Sequence, residues 1–240
     1  RGTGGPVTYH GGGTREACPV PPTTRLEDTP VLQLLVVHAL VAMAATPLVR
    51  RWGRKAFLPL ALAPASAAVY AATRTGAVLA GDPPHQEIPW VPLYGMDLVL
   101  RMDVLSWLMT LIVGGVGALV LVYCAAYFSS TAQDLGRFGG VFVAFAGAML
   151  GLVVTDSSLM LYVFWELTTI FSFLLIGHYH ERQGSRRAAL QAIIVTTFGG
   201  LAMLAGIVIL GEIEGGSYSL SGLVASAQAG ALGGSDGATP

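Results

Sequence analysis

The sequence predicts an all-α integral membrane protein with about six transmembrane helices and a short extracellular hairpin between helices 2 and 3. Of its 240 residues, 53% are hydrophobic and only 11% are charged, whereas soluble globular domains carry roughly 25% charged residues. Six apolar stretches are each long enough to cross a hydrocarbon core about 30 Å thick. This composition excludes a soluble protein, and the formal net charge of −1 gives no support to nucleic-acid binding.

The predicted helices follow from apolar length. We expect the first two to bend, because they contain Pro47, Pro59 and Pro64, which membrane helices tolerate when neighbouring groups satisfy the freed carbonyls. Only Thr155 and Asp156 separate the fourth and fifth helices, which predicts a tight hairpin with Asp156 as an N-cap. The six helices are expected at residues 31–49, 56–80, 104–127, 138–155, 157–177 and 188–211.

The segments outside the helices differ in composition. Residues 1–30 are rich in Gly, Pro and Thr, which predicts a disordered tail, either native or foreign to the mature protein. Alternation of apolar and polar residues around Gly95 predicts the outer hairpin. The expected division is a two-helix membrane hairpin at 31–80, an outer loop at 81–103, a third helix at 104–127, helices four to six at 138–211 and an outer C-terminal segment at 212–240.

Basic residues indicate the orientation. Outside the tail, one set of alternate loops is rich in Arg and Lys, and the opposite loops and helix ends contain only Arg74 and Arg101. The positive-inside rule makes the rich set cytoplasmic, so both ends of the chain are expected to face outward. The rich set consists of Arg50, Arg51, Arg54, Lys55, Arg137, Arg182, Arg186 and Arg187.

Glu166 lies near the middle of the predicted fifth helix. An ionised side chain at the bilayer centre costs roughly 2.5–3.5 kcal/mol, so such residues usually face protein or water and indicate an ion or proton path. The alternative is a neutral Glu that only packs helices through a hydrogen bond. Tyr162 and Thr169 are four and three residues away, hence on the same helix face, and are candidates to hold the carboxyl group or a water beside it.

Three histidines have two interpretations each. His38, in the middle of the first helix, is either a packing residue or a proton relay. His178 and His180 end the fifth helix and titrate in the useful range, but a solvated helix end explains them equally well. Embedded hydroxyls such as those of Thr168 and Thr196 are expected to bond to carbonyls of their own helix.

Other features favour structural explanations. Asp103 and Arg101 at the outer end of helix three indicate an N-cap or an ion pair, with a funnel that admits ions as the alternative. Small-residue spacings are typical of close helix packing, here within the bundle rather than between copies. Such spacings occur at Gly147 with Gly151 and at Gly114 with Ala118.

The cysteines predict neither a disulfide nor a metal site. Cys18 lies in the polar tail and Cys124 in an apolar stretch, and no cluster of Cys or His accompanies them. No glycine cluster has the spacing of a phosphate-binding loop. We therefore expect no metal, nucleotide or other cofactor.

Several motifs resemble one known family. Residues 91–109 and 122–128, then 145–157, 164–169 and 173–177, and finally 186–206 are similar in order to the N-terminal region of the large antiporter-like subunits. Mrp sodium/proton antiporters and respiratory complex I share these subunits, and the resemblance extends over residues 31–225. Leu167-Thr168-Thr169 after Glu166, and Phe198-Gly199-Gly200, favour the Mrp A subunit.

The resemblance implies a role for Glu166 as the essential carboxylate of the first ion-translocating half. In the family this acid works with a lysine on a later broken helix, a usual arrangement for alternating access. The chain here ends at Pro240, before that helix, and its only lysine is Lys55 in a loop. We therefore expect a piece of a longer subunit that does not transport alone.

The function expected from the resemblance is exchange of Na⁺ for H⁺ across a bacterial plasma membrane, in a hetero-oligomeric complex with other antiporter subunits. The chain would be a transporter subunit and not an enzyme, with no catalytic residue. One alternative is a proton-pumping membrane subunit of an NADH-quinone oxidoreductase or related hydrogenase. The other is a nonfunctional truncated subunit.

Overall fold

The structure is a computed structural model that describes residues 30–91, 96–129 and 134–232. The predicted disordered tail, the turn around Gly95 and the last residues of the chain lie outside this part. Most of the described residues are helical. The helices are α1 (Pro30–Trp52), α2 (Phe57–Leu60), α3 (Leu62–Leu79), α4 (Val104–Tyr127), α5 (Leu135–Val154), α6 (Ser158–Ile176), α7 (Gln183–Glu212) and α8 (Leu220–Gln228), and the strands are β1 (His85–Val91) and β2 (Met96–Arg101).

Five helical segments of the described chain are long and apolar enough to cross a membrane. The first of them, Pro30–Leu79, has 50 residues and folds back on itself. Val31, at its start, shares a buried cluster with Val78, at its end. Ala45 and Ala63, which flank the middle, share a second cluster. The first segment therefore makes two antiparallel passes, and the all-α membrane fold agrees with the prediction of about six transmembrane helices.

The reversal between α1 and α3 occurs where the sequence interrupts a regular helix. Gly53 has a φ of +57°, a left-handed conformation that glycine adopts without steric cost. A short 3₁₀ helix, Gly53–Ala56, begins at this residue. Regular helix then resumes in two pieces, α2 and α3, so the predicted single helix at 56–80 is interrupted at Ala61. Pro64 cannot donate a backbone hydrogen bond and lies in the first turn of α3, where no donor is needed.

Helix α7 is longer than predicted, because it begins at Gln183 rather than at residue 188. Its first residues, Gln183 to Arg187, are polar and largely exposed, and an apolar-length criterion cannot detect a helical turn that lies in water. A further helix, α8, forms within the segment 212–240, for which apolar length predicts no helix.

The described residues form two buried clusters, one at each end of the bundle. One packs Phe57, Phe128 and Phe138 against each other at the end that carries the α1–α3 reversal. The other joins Leu100 of β2, and Met102 just after that strand, to the first residues of α1. Large apolar side chains on the outer faces are exposed, with Phe198 on α7 73% exposed, as expected for surfaces that contact lipid or further helices.

The small residues pack helices together inside the bundle, as predicted. A Cβ atom on Gly114 would lie 2.7 Å from the backbone of Pro64 and Ala68, and one on Gly147 would lie 2.8 Å from Cβ of His38. Gly151 is covered by the ring of Phe164. These glycines let α4 approach α3, and α5 approach α1 and α6.

We expect Gly114→Ala to destabilise the protein, because backbone atoms of α3 occupy the space that the new methyl group needs. Overpacking of this kind costs about 1–3 kcal/mol. The matched control is Gly115→Ala, since nothing lies within 4 Å of a Cβ at that position. Thermal unfolding of the intact protein in detergent measures both variants, and equal midpoints would contradict this account of α3–α4 packing.

Strand β2 and the segment before α8 meet at the turn between α5 and α6. Strands β1 and β2 pair antiparallel, with His85 opposite Arg101, and their extracellular placement stays a prediction. Val99 of β2 accepts a hydrogen bond of 2.8 Å from the backbone N–H of Asp156. On the other side of the turn, Ser158 donates to the carbonyl of Tyr218. The α5–α6 turn is therefore held between β2 and the segment before α8.

The predicted N-cap role of Asp156 is wrong. Ser157 caps α6 by accepting from the backbone N–H of Met160, while the Asp156 carboxylate turns to the start of α8. It accepts hydrogen bonds from the Ser219 hydroxyl at 2.8 Å and from the Ser221 hydroxyl and backbone N–H at 2.7 and 3.0 Å. A carboxylate gains more from three converging donors, next to a helix N-terminus, than from one local N–H.

Replacing Asp156 with Ala is expected to release α8 from the bundle. Hydrogen bonds to a charged group contribute roughly 1.5–3 kcal/mol each, so amide exchange across 219–228 should accelerate by about tenfold or more. Hydrogen–deuterium exchange of the intact protein measures this, with Asp82→Ala, at an exposed residue, as the control. Unchanged exchange in α8 would show that other contacts hold it.

Candidate functional site

Glu166 lies at the contact between α6 and α7. Its Oε1 atom is buried and faces Gly200 of α7 so closely that a Cβ atom on Gly200 would lie 2.5 Å from it. Gly200 is itself buried, in a helix whose other residues are mostly exposed. The Oε1 atom of Glu166 therefore faces the backbone of a neighbouring helix.

Trp165 occupies the other side of the same contact. Its Nε1 atom would lie 3.4 Å from a Cβ on Gly200, so the indole and the carboxyl group meet α7 at one residue. Both Trp165 Nε1 and Glu166 Oε1 are buried without a hydrogen-bond partner among the described residues. Buried polar atoms in folded proteins nearly always have partners, and a donor and an acceptor left over side by side indicate a polar site.

The two residues predicted to support Glu166 differ in position. The Tyr162 side chain is close enough to interact with the Glu166 carboxyl group through charge and hydrogen bonding. Thr169 is buried, but in the described part of the chain no hydrogen bond joins it to Glu166. The Thr168 hydroxyl donates to the carbonyl of Trp165 at 2.7 Å, which is the bond within the same helix that the sequence predicts for embedded hydroxyls.

Sequence reasoning missed Trp165 and Gly200 as parts of this site. Trp165 is adjacent to Glu166 along the chain, and adjacent residues of a helix do not share a face. Gly200 is on another helix, and its pairing with Glu166 depends on how α6 and α7 pack. The available signal was the glycine pair Gly199-Gly200 in an apolar helix, and a glycine pair does not indicate which helix packs against it.

His38 is buried, with 2% of its surface exposed. Its Nδ1 atom lies 2.7 Å from the carbonyl oxygen of Leu34, and because a carbonyl only accepts, Nδ1 carries the proton. The ring packs on Gly147 and lines a cavity of about 190 Å³ with Phe164 and Leu167. These contacts favour the packing interpretation over the proton relay.

The two histidines at the end of α6 have different surroundings. The ring of His178 packs edge-on against Phe138 at 5.1 Å and Tyr179 at 4.9 Å. Burial is the largest influence on the pKa of His178 and lowers it, while the nearby Asp134 opposes that shift. His178 thus belongs to an aromatic cluster, whereas His180 is exposed, as the solvated-end interpretation expects.

Asp103 caps α4 by accepting a hydrogen bond of 2.8 Å from the backbone N–H of Ser106. The N-cap alternative is therefore confirmed for Asp103, and no ion pair with Arg101 is present in the described part of the chain. Both residues line a cavity of about 660 Å³ with Asp156. Within the described ranges, no group of three or more His, Cys, Asp or Glu could hold a metal ion.

Comparison with known families identifies the class of protein. Residues 155–234 match the family described as "NADH:quinone oxidoreductase/Mrp antiporter, TM". Residues 90–138 match "NADH-Ubiquinone oxidoreductase (complex I), chain 5 N-terminus". Together with the membrane-spanning helices, these matches show that the chain belongs to the antiporter-like family of membrane subunits, as the resemblance implied.

The relatives narrow this to the Mrp type. The A/B subunit of a probable K(+)/H(+) antiporter from Rhizobium meliloti (strain 1021) is 42% identical over 164 residues, which is 68% of this chain and 16% of that protein. The A1 subunit of a Na(+)/H(+) antiporter from Staphylococcus aureus (strain JH9) is 35% identical over 196 residues, 81% of this chain and 24% of that protein. The chain therefore spans at most about a quarter of the length of these relatives.

Solved structures agree. The chain matches "Structure of Mrp complex from Dietzia sp. DQ12-45-1b" with a TM-score of 0.67 and 31% identity, over 75% of this chain and 19% of that chain. It matches the archaeal membrane-bound sulfane sulfur reductase with a TM-score of 0.62 and 19% identity, over 86% of this chain and 29% of that chain. The second match concerns the fold alone. The first extends the similarity to an Mrp complex.

Proposed function

We propose that this chain contributes part of the ion path of a monovalent cation/proton antiporter, which exchanges Na⁺ for H⁺ across a bacterial plasma membrane. The observation that carries the proposal is the buried carboxyl oxygen of Glu166, which faces Gly200 and has no partner among the described residues. The antiporter works as a hetero-oligomeric complex of several membrane subunits. Its basic loops face the cytoplasm, in accordance with the positive-inside rule.

Glu166 takes and releases a proton in this mechanism. Its carboxyl group lies between α6 and α7, where Tyr162 interacts with it from one turn away and the Trp165 indole N–H has no acceptor within the described residues. Discontinuous helices around charged groups at mid-membrane depth are a usual design for alternating access. A lysine from a later helix of the longer relatives, approaching Glu166 and withdrawing, would drive proton release and uptake.

The energy for sodium export comes from the proton gradient and the membrane potential. Moving one elementary charge across 100 mV is worth about 2.3 kcal/mol. An exchange in which more protons enter than cations leave therefore moves Na⁺ uphill. Tyr162 interacts with the carboxyl group from the preceding turn and helps to orient it toward α7, so that its proton leaves along the contact between α6 and α7.

Cation-dependent collapse of a pH gradient tests the proposal. Everted membrane vesicles containing the intact subunit with its partner subunits are acidified by respiration, and Na⁺ or K⁺ is then added. We expect Na⁺ to dissipate the gradient, seen as recovery of a pH-sensitive dye. A response to neither cation, from a complex shown to be assembled, would reject the antiporter assignment.

A second function has support from the family, because the match at residues 90–138 is to a chain of complex I. In that case the chain would be a proton-pumping membrane subunit of a quinone-linked oxidoreductase. Neighbouring genes distinguish the two: small antiporter subunits favour exchange, and redox subunits favour pumping. Proton movement that requires NADH or another reductant, and no added cation, would favour the second function.

A further inference from the structure

Three arginines line one cavity of about 450 Å³. The cavity lies at the end of the bundle that carries the reversal between α1 and α3. Arg50 is in the last turn of α1, Arg54 is in the 3₁₀ helix that follows, and Arg137 is in the first turn of α5. Gly136 packs against the backbone of Thr46, 2.9 Å from where its Cβ would be. Gly136 lines the cavity at this contact, and because it has no side chain it does not fill the space.

The charges in this cavity are not balanced. Among the described residues that line it, Asp134 is the one acidic residue against three arginines, which leaves two positive charges in excess. In the described part of the chain neither Arg50 nor Arg137 forms an ion pair. Arg54 uses one N–H group on the carbonyl of Phe128 at 3.2 Å, and its other donors remain available because a guanidinium has five.

A second cavity, of about 250 Å³, adjoins the first through Arg137, which lines both. Its walls between α6 and α7 are mainly apolar and include Phe173, Leu174 and Leu190, while Arg186 and His180 complete the lining. Trp52 and Tyr127, at the same end of the bundle, are exposed, and such aromatic residues are typical of the membrane interface. A charged pocket therefore lies beside an apolar slot at headgroup level.

We propose that these two cavities form a binding site for an anionic phospholipid, with its phosphate among Arg50, Arg54 and Arg137 and an acyl chain along the apolar slot. The planar fork of arginine matches phosphate geometry and binds it through paired hydrogen bonds. Basic pockets between transmembrane helices commonly take anionic headgroups. The apolar slot distinguishes a lipid from free phosphate, which has nothing to place there.

The orientation of the chain in the membrane does not explain why the three arginines converge on one cavity. The positive-inside rule depends on the number of basic residues in a loop, and it is equally satisfied by arginines that point into water. Arg187 is of that kind, because it is exposed at the same end of the bundle and lines neither cavity. It therefore provides a matched control.

Native mass spectrometry of the intact complex tests the site. The delipidated complex is titrated with phosphatidylglycerol, cardiolipin, phosphatidylcholine and inorganic phosphate. We expect saturable binding of the two anionic lipids, not displaced by phosphate, and weaker binding of phosphatidylcholine. Each of Arg50→Gln, Arg54→Gln and Arg137→Gln should lower anionic-lipid affinity about fivefold, and Leu190→Trp, which fills the slot, should lower it without changing the charge.

Arg187→Gln is the control and should leave anionic-lipid binding unchanged. The thermal midpoint of each variant shows whether it is folded. Equal losses from Arg187→Gln and Arg137→Gln would mean general charge attraction and overturn the proposal. Full competition by inorganic phosphate would mean a free-phosphate site and would also overturn it. Wild-type affinity in a folded Arg50→Gln, Arg137→Gln double variant would reject the arginines as the headgroup site.

Discussion

Glu166→Gln is expected to abolish cation-dependent dissipation of the pH gradient while leaving the protein inserted and folded. Glutamine has nearly the same size as glutamate and still forms hydrogen bonds, but its amide cannot take and release a proton near neutral pH. Because Oε1 has no partner among the described residues, and the amide oxygen of glutamine can still accept a hydrogen bond from Tyr162, the substitution should disturb the surrounding contacts little. The loss is therefore expected in transport and not in thermal stability.

The measurement is dye recovery in everted vesicles after addition of Na⁺ or K⁺, with the intact subunit in its assembled complex. Glu181→Gln is the matched control, because Glu181 is exposed beyond the end of α6 and should keep full activity. Wild-type exchange by Glu166→Gln would remove Glu166 from the mechanism. It would favour the alternative in which a neutral glutamic acid only packs helices.

Gly200→Val is expected to reduce transport nearly as strongly, although residue 200 has no ionisable group. A Cβ at this position would lie 2.5 Å from Glu166 Oε1 and 3.4 Å from Trp165 Nε1, so the valine must displace the carboxyl group or push α7 away. Overpacking in a well-packed region costs about 1–3 kcal/mol. We expect both a lower thermal midpoint and a loss of cation/proton exchange, because the valine displaces the carboxyl group of Glu166.

Gly199→Val is the control, because a Cβ on Gly199 has nothing within 4 Å and the neighbouring position bears the same change in helix propensity. It should retain exchange and stability close to the wild type. Comparable defects in Gly199→Val and Gly200→Val would mean that the helix, and not the Glu166 contact, is sensitive to the substitution. Retained transport by Gly200→Val would contradict the geometry of the site.

The candidate acid could be found from the sequence because its signal is local. One carboxylate in a membrane-length apolar helix is costly wherever the helix is placed, so Glu166 stands out without knowledge of its neighbours. Tyr162 was found in the same way, from helical spacing. Trp165 and Gly200 could not be found, because their contact depends on the rotation of α6 and α7 about their axes.

For Asp156, the local sequence predicts an interaction that tertiary contacts replace. Its position before a helix predicts an N-cap, which is a local interaction. The structure instead joins it to Ser219 and Ser221, which lie 63 and 65 residues later in the chain, where several donors outweigh a single one. The arginines of the proposed lipid site were likewise visible as charges in loops, but only the packing of α1 against α5 brings Arg50 and Arg137 to one cavity.

The sequence by itself determined the membrane-spanning class and the number of passes, and it singled out Glu166 as the candidate residue, because apolar length and the cost of a charge in hydrocarbon depend only on local composition. Tertiary structure alone decided which helix Glu166 faces, which capping interactions form and where basic side chains converge. Those outcomes depend on distances between segments far apart in the chain, and packing of the small residues Gly114, Gly147 and Gly200 sets these distances.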